Sequence, residues 1–560
     1  MMSSNGRNTF RNAFEGRARL GLIVIFILAA AVRLIGLSSL DVWGDEIYSH
    51  TASSDLLPKL LRWETVDNES SSPWPFIEMK VARQVFGESS SLSLRMPSAV
   101  HGILGVVLLY IVLTVLVDWR VAFWASLLLA INPHGLEWSR EGRMYTQWLS
   151  ATIALIGIVH FAVQDVRLRG GTWYSWRWWL TGCLFMIVHA MNVMGIMTIA
   201  GLALWLGIMA IAELKSNRLA AIRIILGSAL AGAVYLGSWG LTGIAKILML
   251  MGNAKRAGGY EPAPVIDQVT EFLRALPGHM PLGLAMLFWL AAAAGLLLLA
   301  RQGHWRLALL VAIGSMAPWL GFFSITKSHF WAPRYAFTAI LFLSVGMGAL
   351  LAALWNGTLV RKLVVGRAMA VVLLVASVAL AGPYLREIFL VPKMEVRKAF
   401  GVIKEHGLKG EVIMLFPDYY ISFNSYKAYR YDQNASVIRG PKGTGLDAGD
   451  AFTSTFEDRY YIKPVEAEGG KIAPPVVPQD IPSAAWLFML QPDSTGDPAT
   501  RWDKRLNDIE PVLKAYGLST DSLRPHLKDD PYTITLRLSR DGAGDGQIDH
   551  VVTTTGRQFR

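Results

Sequence analysis

Eleven stretches of this 560-residue chain are apolar over roughly the 17–25 residues that cross ~30 Å of hydrocarbon, and they leave little freedom in what it can fold into. They lie near 20–40, 96–117, 121–136, 144–164, 178–192, 193–213, 223–245, 281–300, 307–324, 335–355 and 367–389. In lipid every backbone N–H and C=O must find its partner within the segment, so each stretch is predicted to be a helix. A content of 53% hydrophobic residues with 20 Trp, and a mean hydropathy of +0.37, is too apolar for a soluble protein of this length. The predicted fold class is a polytopic α-helical membrane protein of about eleven transmembrane helices with a C-terminal soluble α/β domain.

The arginines set the expected orientation. Arg7, Arg11, Arg17 and Arg19 precede the first stretch, and further Arg and Lys fill every second loop: Arg167, Arg169 and Arg177; Lys215, Arg218 and Arg223; Arg301 and Arg306; Arg361, Lys362 and Arg367. By the positive-inside rule those loops are cytoplasmic. The reading divides the chain into a cytoplasmic tail 1–19, a membrane domain 20–389 with a long first outer loop 41–95, and an outer α/β domain 390–560. The net charge of +11 is explained by the short basic loops and anionic lipid, so no nucleic-acid partner is expected. The one cysteine, Cys183, falls inside a stretch and can form no intrachain disulfide. No small-residue cleavage site follows the first stretch, which reads as a retained span.

Beyond residue 390 the pattern changes. Lys393–Gly407 reads as an amphipathic helix, Tyr419–Tyr429 as a second helix, and Glu411–Phe416, Ala484–Leu490 and Tyr532–Leu538 as strands, with a Pro-rich connector from Ala473 to Pro482. No internal repeat is present.

The polar clusters gather on the expected outer side. Asp41, Asp45 and Glu46 directly follow the first stretch; carboxylates near hydrocarbon cost several kcal/mol unless they meet water or partners, which marks a candidate site. A helix starting at Asp41 would put Asp41 and Asp45 on one face, able to hold a cation or a sugar hydroxyl; an interfacial turn at Gly44 is the plainer alternative. Ser71–Phe76 leads into a membrane-surface helix from Ile77 to Phe86. Asn132–Tyr145 packs His134, Arg140, Glu141, Arg143 and Tyr145 between two stretches with almost no loop; a cavity or a salt-bridged helix start would each account for it. Lys327, His329 and Arg334 offer cations at another outer boundary, suited to a phosphate or to snorkelling toward headgroups. A loop with Lys246, Lys255, Arg256, Tyr260 and Glu261 is compatible with headgroup or acceptor contact, and His189 and Asn192 lie within spans. Neither a His-Glu-x-x-His helix nor a P-loop is present.

Taken in order, Trp43-Gly-Asp-Glu-Ile-Tyr-Ser, Ser72-Pro-Trp-Pro-Phe, Phe86-Gly-Glu-Ser followed by Ser93-Leu-Arg-Met-Pro-Ser-Ala, Ser139-Arg-Glu-Gly-Arg-Met-Tyr and Pro333-Arg-Tyr resemble the bacterial glycosyltransferases of family 39, relatives of protein O-mannosyltransferases and aminoarabinose transferases in the membrane-embedded type C fold. The resemblance covers about residues 20–355. It implies an enzyme of the bacterial inner membrane that passes a sugar from a polyprenyl-phosphate donor to a protein, lipid or glycan acceptor on the periplasmic side. Asp45 matches the family's catalytic aspartate and is the expected general base, with Glu46 its acidic partner. Glu141 and Arg143 match the second outer motif, with Tyr145 closing it as a substrate contact. Arg334, with Lys327 and His329 by local inference, would stabilise charge on the departing phosphate. Direct displacement implies inversion at the anomeric carbon.

Two departures stand out. The family's usual His-Pro-Pro-Leu is Ser72-Pro-Trp-Pro here, which removes a histidine role or moves it to His50 or His134; the usual Gln-Glu-Ala-Arg is Arg140-Glu-Gly-Arg. Both leave open which acceptor is used and whether a divalent cation, magnesium or manganese, is needed, for which Asp45 and Glu141 would be the carboxylates. Two other readings stay open: a non-catalytic transporter or export component, and a relative that only binds glycolipid.

Overall fold

The computed structural model describes residues 16–39, 42, 44–64, 72–87, 90–245, 264–325, 333–360 and 362–390, and beyond them eight strands, residues 518–527 and a few isolated positions. They belong to two compact units, one of Met1–Leu37, Ala52–Val85 and Leu94–Ile388, the other of Ser38–Thr51, Phe86–Ser93 and Phe389–Arg560.

The helices, in chain order, are α1 (Arg17–Leu34), α2 (Gly44–Ser53), α3 (Leu57–Leu61), α4 (Pro73–Phe86), α5 (Ser91–Leu116), α6 (Trp119–Ile131), α7 (Pro133–Ser139), α8 (Tyr145–Arg169), α9 (Trp176–Met191), α10 (Gly195–Leu214), α11 (Arg218–Tyr235), α12 (Val265–Ala275), α13 (Leu282–Leu299), α14 (Trp305–Ile325), α15 (Ile340–Trp355) and α16 (Leu363–Leu390). All eleven apolar stretches are therefore helical. Among the described residues seven segments are long and apolar enough to cross a membrane, among them Leu282–Gly321, which is broken at Gly303, φ 95°. This is a polytopic helical membrane protein.

Breaks between helices have local causes. The stretch expected to reach residue 136 stops at Ile131, where Asn132 turns its side chain to accept from the Gly135 N–H at 2.7 Å and Pro133 takes the first position of α7. Asp118 caps α6 and Asn217 caps α11 in the same way. Asn192 separates α9 from α10, its side chain accepting from the Met194 N–H at 2.8 Å. The surface helix expected from Ile77 begins earlier, at Pro73, because proline costs nothing in a first turn.

The segment Pro333–Trp355 is the best-buried of the apolar segments, at 89%, whereas Leu363–Leu390 is 17% buried. Glycines let neighbours approach α15 at backbone distance. A Cβ at Gly295 of α13 would strike the Gly346 carbonyl oxygen, a Cβ at Gly346 would strike that of Ala292, and one at Gly348 would come within 2.5 Å of the Ala125 nitrogen on α6. Between helices α6, α13, α15 and α16 lies a small apolar cavity of about 30 Å³, lined by Leu128, Met280, Phe288, Leu343 and Ser377 among others.

At the Arg-rich end of this unit, Glu213 accepts from Arg167 and, at 3.2 Å, from Arg306, while Arg177 meets Asp165 at 2.9 Å. These pairs tie α8, α9, α10 and α14 together.

The second unit contains a six-stranded sheet. Its strands are β1 (Val412–Phe416), β2 (Ser454–Phe456), β3 (Tyr460–Pro464), β6 (Ala484–Leu490), β7 (Thr533–Arg540) and β8 (Gly546–Thr554), in the order β2-β3-β1-β6-β7-β8; β4 (Ala467–Glu468) and β5 (Lys471–Ile472) form a separate hairpin. β1 runs parallel to β3 and β6, and the other pairs in the six-stranded sheet are antiparallel. The three expected strands are present, while the expected helices at 393–407 and 419–429 and the connector 473–482 lie outside the described residues.

Candidate functional site

The acidic motif opens α2, which begins at Gly44 with Asp45 and Glu46 in its first turn. Val42 stands outside the helix; Asp41, expected to share a helical face with Asp45, lies outside the described residues. Glu46 and His50 are buried and Asp45 is half-buried; Ser49 donates to the Asp45 carbonyl at 3.0 Å. These residues belong to the smaller unit.

The second outer motif belongs to the other unit and folds as a short helix, a turn and the start of α8. Residues 140–144 form a bend, so Glu141 and Tyr145, four positions apart, do not share a helical face. Glu141 and Arg143 are both buried. The Arg143 carbonyl accepts from the Ser98 hydroxyl at 2.7 Å, and Thr146 donates to the Ser98 carbonyl at 2.8 Å, which clamps the bend onto α5. Gly142 lies against Leu94, where a Cβ would come within 3.0 Å, a close fit that accounts for glycine in Arg140-Glu-Gly-Arg.

Arg140 is committed elsewhere. Its Nη1 donates to the carbonyls of Val32, Arg33 and Ile35, the shortest at 2.7 Å, and Nη2 to Gly36 at 2.8 Å. It closes the C-terminal end of α1, where backbone carbonyls lack partners of their own. Arg33, buried in the same helix, donates to the Ala130 carbonyl at 3.1 Å.

Arg334 is brought onto the second motif. It sits in a 3₁₀ turn, Pro333–Ala339, with its guanidinium carbon 5.6 Å from the ring centres of both Trp138 and Tyr335. Trp138 packs against Tyr145 with centroids 4.6 Å apart, and Tyr145 and His134 both reach Phe337, at 6.0 and 5.6 Å. A cation is thereby held over an aromatic wall, which keeps it oriented and weakly hydrated. Lys327 and His329, the other expected cations, lie outside the described residues.

Glu137 and its surroundings had no clear signal in the sequence. Tyr384 of α16 donates to Glu137 Oε2, and His134 Nδ1 lies 3.8 Å from the same oxygen. His279 packs on Tyr384 at 4.4 Å and approaches Glu271 at 3.5 Å. His279 has φ +53°, unusual for a non-glycine residue, and follows Gly278 at φ +115°, whose missing Cβ lets the turn meet Pro133. Glu137 and Trp138 lie inside the recognised stretch, but Tyr384 is 247 positions away from Glu137 and no local pattern could have named it.

Among the described residues no group of three or more His, Cys, Asp or Glu is arranged to hold a metal ion. Asp45 and Glu141, the expected carboxylates for a cation, belong to different units.

No protein-family model matches the chain, and no curated protein matches it in sequence. Among solved structures it is similar to the archaeal oligosaccharyltransferase AglB from Archaeoglobus fulgidus, in complex with an inhibitory peptide and a dolichol-phosphate, at a TM-score of 0.49 and 13% identity over 75% of this chain and 64% of that one. It is also similar to ArnT from Cupriavidus metallidurans, bound to undecaprenyl phosphate, at 0.49 and 15% over 84% of this chain and 93% of that one, and to the apo state of the same protein at 0.49 and 14%. The chain thus spans somewhat less than two thirds of AglB's length. Likenesses this distant leave its activity to be argued from its own residues.

Proposed function

We propose that this chain is an integral-membrane glycosyltransferase of the family 39 type, taking a sugar from a polyprenyl-phosphate donor to a protein, lipid or glycan acceptor on the periplasmic face of a bacterial inner membrane. The observation that carries the reading is the meeting of Arg334 with Trp138 and of Tyr145 with Phe337: the last motif and the second outer motif, far apart in sequence, build one cationic and aromatic site.

In this reading Asp45 takes the proton from the acceptor hydroxyl as its oxygen attacks the anomeric carbon. The bond from that carbon to the phosphate oxygen breaks, and polyprenyl phosphate leaves with the bonding pair. Glu46 supports the base. Arg334, with Lys327 and His329, would stabilise the charge that develops on the phosphate, and Glu141, Arg143 and Tyr145 would hold substrate. One displacement gives inversion.

The test is transfer of radiolabelled sugar from a panel of synthetic polyprenyl-phosphate sugars by the purified protein in liposomes. Wild type transfers from at least one donor, and Asp45→Asn, folded by the same thermal criterion, falls by about 10²–10⁴-fold, the usual worth of a general base. Failure of wild type with every donor, or full activity of the variant, overturns the proposal. Repeating the assay with EDTA, then with magnesium or manganese restored, reads cation dependence.

A further inference from the structure

A chain of hydrogen bonds lies one helical turn deeper than the Arg143 bend. On α4, Trp74 Nε1 donates to Glu78 Oε1 at 2.7 Å. His101 of α5 places Nε2 2.9 Å from the same oxygen and Nδ1 2.7 Å from the Ser150 hydroxyl of α8. Ser150 Oγ also lies 2.9 Å from the Gln147 carbonyl oxygen. The side chains of Glu78 and His101 are only 21% and 17% exposed, and Ser150 is buried. His101 is three residues past Ser98, which holds Arg143, or about 4.5 Å along the helix axis.

This chain ends on an indole ring. Trp74 is half-buried, with Trp239 set edge-on to it at 6.5 Å and 67°. Trp239 stands on a π-helical segment, Leu236–Gly240, whose Ser238 (φ −104°, ψ −126°) leaves helical geometry; such segments cluster at functional sites. Desolvating a carboxylate and an imidazole is costly, and apolar side chains of the same volume would dock α4 at least as well. A hydrogen bond to the single N–H of an indole adds a directional constraint on the rotation of the ring that apolar packing lacks. Glu78 holds that N–H, His101 holds Glu78, and Ser150 holds His101. Support of this kind is what keeps a recognition group in a set orientation.

We propose that Trp74, backed by Trp239, is the stacking platform for a pyranose ring, with Glu78 and His101 as positioning residues that set its plane. The C–H face of a pyranose is apolar and flat enough to lie on an aromatic ring. The inference rests on the transferase reading and adds to it a contact for the sugar itself, whether that ring belongs to the donor or to a glycan acceptor.

Full-length wild type, Trp74→Ala, Trp74→Phe, Glu78→Ala and Glu78→Gln in lipid nanodiscs test it by two measurements. In saturation-transfer NMR with methyl α-mannopyranoside and methyl β-galactopyranoside as probes, wild type saturates the ring protons of at least one. Trp74→Ala, Glu78→Ala and Trp74→Phe, which has no N–H for Glu78 to hold, each weaken its binding about ten-fold, the order of one aromatic stacking contact, while Glu78→Gln retains most of it. In sugar transfer, the two alanine variants raise one KM by a similar factor and leave kcat within about two-fold. A rise in the donor's KM assigns the ring to the donor, a rise in the acceptor's to the acceptor. Unchanged binding and unchanged KM in both alanine variants overturn the platform, as does absence of saturation by wild type. Glycoside binding that depends on Trp74 without transfer from any donor overturns the transferase reading and leaves the platform standing.

Discussion

Arg140 is the residue whose role changed most between sequence and structure. It stands beside Glu141 and Arg143 in a motif that points to substrate, yet its guanidinium spans four carbonyls at the end of α1, 104 to 108 positions earlier in the chain. A planar fork with fixed N–H directions can serve them together, and an ammonium at the end of a flexible stem cannot. Arg140→Lys is therefore expected to destabilise the protein by about 1–2 kcal/mol, seen as a lower unfolding temperature in detergent, with sugar transfer reduced in step. Unchanged melting would mean those carbonyls find other partners. The residue types of the candidate positions were legible: acids, Arg and Tyr at Asp45, Glu46, Glu141, Arg143, Tyr145 and Arg334 stand out in the sequence against apolar surroundings. Their partners were not, because Trp138 under Arg334, Tyr384 on Glu137 and His101 on Glu78 are contacts between helices distant in sequence.

At the scale of elements the sequence was a close guide. A stretch of about twenty apolar residues in lipid has one way to satisfy its backbone, so length and composition alone placed helix in all eleven stretches, although the reading ran one of them through Asn132-Pro133, where the chain breaks. Which helices touch was hidden, since glycines in apolar runs look alike. Gly346 and Gly382 illustrate it: a Cβ at the first would strike the Ala292 backbone, whereas nothing lies within 4 Å of the second. Gly346→Val is expected to cost about 3 kcal/mol or more, because the α13 backbone cannot yield, and Gly382→Ala close to nothing. Thermal unfolding of the two variants beside wild type checks this; equal melting of Gly346→Val and wild type would separate α13 from α15.

For the whole molecule, the basic loops give an orientation that accessibility can test. Glu213, with Arg167 and Arg306 upon it, lies at the end of α10 expected to face the cytoplasm, and α12 follows the opposite ends of the helices. In a Cys183→Ser background, Asp267→Cys on α12, an exposed position, is expected to react with a membrane-impermeant maleimide in intact spheroplasts. Ser216→Cys, exposed beyond α10, is expected to react only after the membrane is opened. The reverse labelling would invert the orientation and move the Trp138 and Arg334 site to the cytoplasmic side. The sequence by itself determined that the chain crosses a membrane many times, where its helices lie, and which polar residues stand at their ends, because hydrophobic length and backbone hydrogen bonding are local properties. Only the tertiary structure decided that Arg140 closes a helix, that Arg334 rests on Trp138, and that a partly buried carboxylate and imidazole hold Trp74, because each depends on side chains from separate helices meeting within hydrogen-bonding or stacking distance.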